Sequence, residues 1–265
     1  MNFGFFYDSP IWLIAMIIFA VNLAALEIGY RVARRRQEES KDADSGGGKV
    51  VVTSMFALLG LILAFTYAAG VSRHEVRKQS VVTEANAVGT AFLRARLVAE
   101  PGRTELTKAL LDYARTRPMK QGVRLTPAQR GEFVEKMLQA QATLWPITEK
   151  ILGQGQPGPI EGSLVVAIND VLDEHNIRLA AAFDKLPTAV VSMLILIAAA
   201  SLTVTGFNAG LSGQMSRWRV TAFAAVLAGV MYMIVDFDRP LDGLIQVSQA
   251  SIETTISDME AISGH

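Results

Sequence analysis

Four blocks of the chain are dominated by apolar residues: Ile11 to Tyr30, Val50 to Gly70, Pro187 to Gly206 and Val220 to Val235. About twenty such residues at a helical rise of about 1.5 Å cross the ~30 Å hydrocarbon layer of a bilayer, so each block predicts a transmembrane helix. The second block runs on without a proline into SRHEVRKQSVVTEANAVGTAFLRARLVAE, Ser72 to Glu100. There Val81, Ala85, Val88, Phe92 and Ala95 recur at alternating steps of four and three, which paints one stripe on a helix. The pattern predicts one rod from Val50 to Glu100, roughly 75 Å long, around which the rest of the chain packs.

Between the second and third blocks the period stays helical, and no strand-like alternation occurs. Pro101-Gly102 ends the rod, and Thr104 is placed to cap the next helix. Glu105 to about Arg117 carries Leu106, Leu110 and Tyr113 on one side. Thr126-Pro127 opens a helix expected to reach Trp145, and Pro146 is expected to break it before Ile147 to Leu152. GQGQPGP, Gly153 to Pro159, reads as a linker. From Glu161 to Leu186 a heptad-like stripe returns through Leu164, Ile168, Val171 or Leu172, His175, Leu179, Ala182 or Phe183, and Leu186. Its natural partner is Ser72 to Glu100. The predicted class is therefore all-α: an integral membrane protein with four transmembrane helices, the second and third extended into a helical extramembrane domain. The expected segments are 1–71, 72–186, 187–236 and an amphipathic tail, 237–265, helical after Pro240.

Charge sets the orientation. The basic cluster RVARRR follows the first block, whereas a cleaved signal peptide carries its basic residues ahead of the apolar run, so the block is read as a retained span. The aromatic start (Phe3, Phe5, Phe6, Tyr7) suits an interfacial belt. The loop after the first span holds Arg31, Arg34, Arg35, Arg36, Lys41 and Lys49, and that after the third holds Arg217 and Arg219. The positive-inside rule puts both in the cytoplasm and the helical domain on the outer side. Within the first span Glu27 lies four residues before Arg31, an i,i+4 pair that satisfies an acid near the membrane edge. The second, third and fourth spans have no deep charge, which disfavours a proton-coupled transporter or pump.

The chain has 265 residues, 51% of them hydrophobic, with 25 basic and 25 acidic side chains, and zero net charge offers no bulk attraction to nucleic acid. It has no cysteine, which removes disulfides and thiolate metal sites.

Two stretches, RHEVRKQSVVTEANAVGTAFLR (Arg73 to Arg94) and DFDRPLDGLIQVSQ (Asp236 to Gln249), carry a resemblance. Over essentially its whole length the chain resembles a widespread bacterial membrane family of the bestrophin-like type. True bestrophins are pentameric anion channels, so the resemblance implies a homo-oligomer, pentameric by analogy, in the bacterial inner (plasma) membrane. It also implies small anions as the permeating partners, a pore lined by the second span, and a helical domain on the cytoplasmic side, opposite to the charge-based orientation.

In that second span Met55, Leu59, Ile62 and Phe65 or Thr66 form an apolar face, and Leu59, Ile62, Phe65 and Thr66 are candidates for a constriction that gates by dewetting. Beyond it Arg73, Arg77, Glu84 and Arg94 lie off the apolar stripe, with Asn86 inside the motif. In an oligomer they would form a charged vestibule, and in one chain a solvated face with pairs such as Arg77 or Lys78 to Glu84. Asp236, Asp238 and Arg239 are read as a membrane-edge charge cluster, in which Arg239 pairs with an aspartate or reaches Glu84. Ala85 and Gly89, and likewise Gly206 and Gly210, are spaced for close helix approach. His74 and His175 differ in height by about 15 Å on an antiparallel pair, too far to share a metal ion. Gly46-Gly47-Gly48-Lys49 lacks the phosphate-loop frame, Gly210-Leu211-Ser212-Gly213 is not a hydrolase elbow, and no cofactor loop or nucleophile–base pair supports an enzyme. The alternative to a channel is a non-conducting sensor or scaffold whose helical domain binds a partner, with membrane lipid and copies of the chain itself as the other contacts.

Overall fold

The computed structural model describes residues 10–39, 46–119, 126–153, 158–213, 216–239 and 243–264. Within them the chain is all-helical: α1 (Ile11–Glu39), α2 (Gly46–Ala95), α3 (Gly102–Arg115), α4 (Pro127–Ala142), α5 (Leu144–Leu152), α6 (Pro159–Phe183), α7 (Thr188–Ser212), α8 (Arg217–Phe237) and α9 (Ala250–Ser263). Four stretches of the described residues are long and apolar enough to cross a membrane. By contacts the chain divides into two compact units, one of residues up to Ser72 with Lys185–Arg239, the other of Arg73–Asp184 with Pro240 onward.

The first unit packs α1, the amino-terminal part of α2, α7 and α8. Its core is aliphatic, with Ile14, Ile18, Leu26, Leu59, Leu194, Leu202, Met231 and Ile234 buried together. Lipid is as apolar as these side chains, so burial in a bilayer adds little, and close backbone approach must hold the helices. Glycine supplies it between α1 and α7. A Cβ at Gly206 would overlap the Leu26 carbonyl oxygen, one at Gly29 the Thr203 carbonyl oxygen, and one at Gly210 would come within 2.7 Å of the Tyr30 oxygen. The Gly206–Gly210 pair is thus a helix-packing surface, as its spacing predicts, and Gly29 is the reciprocal contact on α1. Glu27 and Arg31 form the expected pair at 2.8 Å.

The second unit has the larger mixed core. All five stripe residues of α2 are buried, and Val88, Phe92 and Ala95 pack with Leu106, Leu110, Tyr113, Leu144, Leu164, Ile168, Val171 and Met259. Val81 and Ala85 pack instead with Val247 and Ile252 of the carboxyl-terminal segment, and Gly89 faces Thr255, so the small residues of α2 receive α9.

Several boundaries differ from the expectation. The rod begins at Gly46, inside the expected glycine-rich loop, and ends at Ala95, not Glu100, through a tight turn in which Arg96 and Leu97 bond back to Phe92 and Arg94. Thr104 does not cap α3: Pro101 is the N-cap, and the Glu100 carboxylate accepts from the Thr104 N–H at 3.2 Å. Thr126 does cap α4, in a reciprocal box with Gln129. The break expected at Pro146 falls at Thr143, because a proline in the first turn of α5 forfeits no helical hydrogen bond. Helix α7 runs on to Ser212, past the expected end at Gly206, and the tail becomes helical only from Ala250. The aromatic start, Lys41 and linker residues 154–157 lie outside the described residues.

On α6 the buried set is Leu164, Ala167, Ile168, Val171, His175, Arg178 and Ala181. Arg178 takes the inward position assigned to Leu179, and Phe183 is exposed. The buried positions Leu164, Ile168, Val171, His175 and Arg178 keep strict alternating steps of four and three. The expected stripe instead takes two steps of four in a row to reach Leu179, and one residue is about 100° of helix.

Candidate functional site

Two features are candidates for a functional site: the exposed face of α2 in the first unit and a buried ionic cluster in the second.

In its membrane-spanning part α2 turns Leu59 and Thr66 inward, with Leu59 only 2% exposed and the Thr66 hydroxyl donating to the Ile62 carbonyl. Ile62 is half-buried against the same core. Leu59 and Thr66 are therefore closed in by their own bundle. Of the four constriction candidates only Phe65 stands on the outer surface, at 67% exposure, in line with Leu61, Leu58 and Val51. Sequence left Phe65 and Thr66 as alternatives for one stripe, and the structure puts them on opposite sides. One helical step is about 100°, enough to exchange core for surface.

The second feature centres on Glu84, one turn along the rod from Ser80. Glu84 is fully buried, and so are both its cationic partners, Arg117 and Arg178. Arg178 Nη1 donates to Oε2 at 2.6 Å, and Arg117 Nε lies 2.7 Å from Oε1. The Tyr113 hydroxyl donates to Oε1 at 2.5 Å and lies 3.1 Å from His175 Nδ1. Because the tyrosine's one proton goes to the carboxylate, His175 must donate through Nδ1, which leaves Nε2 as the bare nitrogen. Nε2 is buried with no hydrogen-bond partner among the described residues. Arg178 Nη2 donates onward to the Gln249 side chain at 2.7 Å and to the Arg117 carbonyl at 3.1 Å. The Arg117 guanidinium also stacks 5.6 Å from the Tyr113 ring. One carboxylate thus ties together α2, the end of α3, α6 and the segment before α9.

This corrects the reading of Arg77 and Glu84 as members of a solvated or vestibular face. Both are buried, and Arg77 donates to the Ala181 and Asp184 carbonyls at 3.0 and 2.6 Å. Lys78 pairs with Glu75, not Glu84. Arg73 binds Asp184 at 2.9 Å, Arg94 donates to the Ser163 carbonyl at 2.7 Å, and Asn86 is exposed. Asp236, Asp238 and Arg239 are all buried, with Asp238 accepting from the Leu186 N–H at 2.7 Å just before α7 begins. Arg117, Arg178, Tyr113, His175 and Gln249 were not legible as site residues. Strict alternating steps of four and three from Leu164 through Ile168, Val171 and His175 would have singled out Arg178, whereas Arg117, beyond the end of α3, gave no signal.

Desolvation dominates the proton chemistry. Burial pushes the Tyr113 hydroxyl far above its usual range, and it lowers His175 to about 4, helped by Arg117 and Arg178 and opposed by Glu84. His175 is therefore neutral at pH 7. A depressed histidine contributes its full stability above about 6.5 and loses it as pH falls toward 4, because the unfolded chain takes up the proton first. Acid unfolding of the native protein should therefore steepen between those values, by on the order of 3 kcal/mol in total. His175→Gln, followed by circular dichroism against pH, should flatten that slope, and an unchanged slope would remove His175 as its source.

No group of three or more His, Asp or Glu residues able to hold a metal ion occurs among the described residues.

The Bestrophin-like domain model matches residues 16–252. The chain belongs to the bestrophin-like family. Solved structures agree in fold. A point mutant of a bacterial bestrophin homolog from Klebsiella pneumoniae aligns at a TM-score of 0.67 and 13% identity, covering 97% of this chain and 99% of that one. A bacterial bestrophin homolog from the same organism, solved by zinc phasing, gives 0.65 at 13% identity over 95% and 97%. A proline-to-alanine variant of a membrane protein gives 0.66 at 12% identity over 96% and 99%. No curated protein matches the chain. As an identity of 13% carries fold but not residues, the side-chain assignments rest on the geometry above.

Proposed function

We propose that the protein is a homo-oligomeric anion channel of the bacterial plasma membrane, with its pore lined by the outer face of α2. The observation that carries this is the row Leu58, Leu61 and Phe65. Three large apolar side chains, each at least half exposed, project from a spanning helix whose opposite face is already packed. In a ring of copies such a row forms a narrow apolar collar, which passes or blocks ions by wetting and dewetting. The family resemblance supplies the expectation of conduction, and the absence of acidic residues from Val50 to Ser72 favours anions over cations. The two short basic loops then face the cytoplasm by the positive-inside rule, which leaves the helical domain outside.

Chloride flux from liposomes tests this. Wild-type protein is expected to give slow, selective flux. Phe65→Ala should raise it several-fold by widening the collar, whereas Leu59→Ala, in the protomer core, should weaken the fold without that gain. Absence of flux from both wild type and Phe65→Ala would favour the sensor or scaffold reading.

A further inference from the structure

A cavity of about 460 Å³ opens between α2, α7 and α8 of the first unit. Its walls are apolar, with Phe56, Gly60 and Leu63 on α2 and Phe223, Val226 and Val230 on α8. The volume lies within the range of small-molecule sites. Gly60 makes the opening: a Cβ there would meet nothing within 4 Å, so the helix face is notched where a larger residue would fill the groove. Phe56 and Phe223 meet edge to face, with centroids 5.2 Å apart, and form part of the lining.

Three observations select the occupant. The lining along α8 runs from Arg219 to Val230, a rise of about 16 Å, which is the thickness of one leaflet. Arg219 is the one cationic side chain among the described residues of the lining, and it sits at the end nearest the short loop. Beside it Trp218 is 74% exposed, as an aromatic at the level of lipid headgroups is. A groove that is apolar for one leaflet's depth and cationic at its interfacial end complements a molecule with a long hydrocarbon tail and an anionic head. The first turn of α8 adds the positive end of a helix at the same level.

We infer that this groove is a binding site for an anionic glycerophospholipid, with one acyl chain between α2 and α8 and the phosphate beside Arg219. The lipid comes from the leaflet bordered by the two short basic loops. The assignment does not depend on whether the protein conducts.

The absence of cysteine from the chain provides a direct test. Val226→Cys, labelled with a fluorophore and reconstituted into nanodiscs, reports quenching by spin-labelled phosphatidylglycerol or by the same label on phosphatidylcholine. The expected result is a preference for the anionic lipid of about fivefold at equal mole fraction, the size one basic residue gives near a membrane surface. Arg219→Gln should abolish the preference, and Gly60→Leu should reduce quenching by both lipids. Equal quenching by both lipids in the labelled protein with Arg219 intact would overturn the site. So would little quenching by either, together with disulfide capture of two unlabelled Val226→Cys protomers, since a second copy of the chain would then cover the groove. Because the decisive comparison uses unaltered Arg219 and Gly60, misfolding of either variant leaves it intact.

Discussion

Glu84→Ala is expected to destabilise the helical domain by about 3–5 kcal/mol, because it strands two buried guanidiniums without their counter-charge. Both depend on this one carboxylate: Arg178 and Arg117 are buried, and each has a nitrogen within 2.7 Å of a Glu84 oxygen. Tyr113 would also lose the acceptor for its hydroxyl. Glu84→Gln should cost less, since it retains an acceptor oxygen while removing the charge. The cost should also fail to add. Arg178→Met in a Glu84→Leu background removes one of the orphaned charges, so the double variant should be more stable than the sum of the singles requires. Thermal melting of the full-length protein in detergent measures this, with a shift of about ten degrees or more expected for Glu84→Ala. A melt within about two degrees of wild type would mean that water or rearranged side chains satisfy the arginines, and the cluster would lose its standing as a lock.

The second large effect is expected at Gly206. Its α-carbon faces the α1 backbone at Leu26 and Tyr30, with no room for even a methyl group. Gly206→Leu should force α1 and α7 apart and with them the reciprocal contact of Gly29 against Thr203. Gly206→Ala should be milder but measurable, at roughly 1–3 kcal/mol for an overpacked contact. Gly229 provides the control, since a Cβ there meets nothing within 4 Å. In detergent-resistance melts Gly229→Ala should therefore match wild type, Gly206→Ala should melt lower, and Gly206→Leu lowest. Equal behaviour of Gly206→Ala and Gly229→Ala would show that the helices separate at no cost.

The two effects belong to different solvents. In the membrane-spanning unit glycine contacts bring the helix backbones together, whereas the helical domain joins an apolar core to one ionic knot. The proposed conduction path involves neither directly. It uses the outer face of α2, where Phe65 stands in line with Leu58 and Leu61, and so it can be altered while both sets of contacts remain.

Sequence alone determined the four spans, the unbroken run of α2 and the buried stripe from Val81 to Ala95, because each depends on local composition and helical period. It also carried the family, through residues along the second helix and the tail. The partners of Glu84 lay beyond it. Arg117, Arg178 and Gln249 are distant in sequence and meet only when three helices and the carboxyl-terminal segment close around one point. Whether a charged residue one step off an apolar stripe is solvated or buried depends on what covers it, and that is a property of the tertiary structure. The same applies to Phe65 and Thr66. Adjacent in sequence and equally admissible by period, they were separated into surface and core only by the helices that pack against one side of α2.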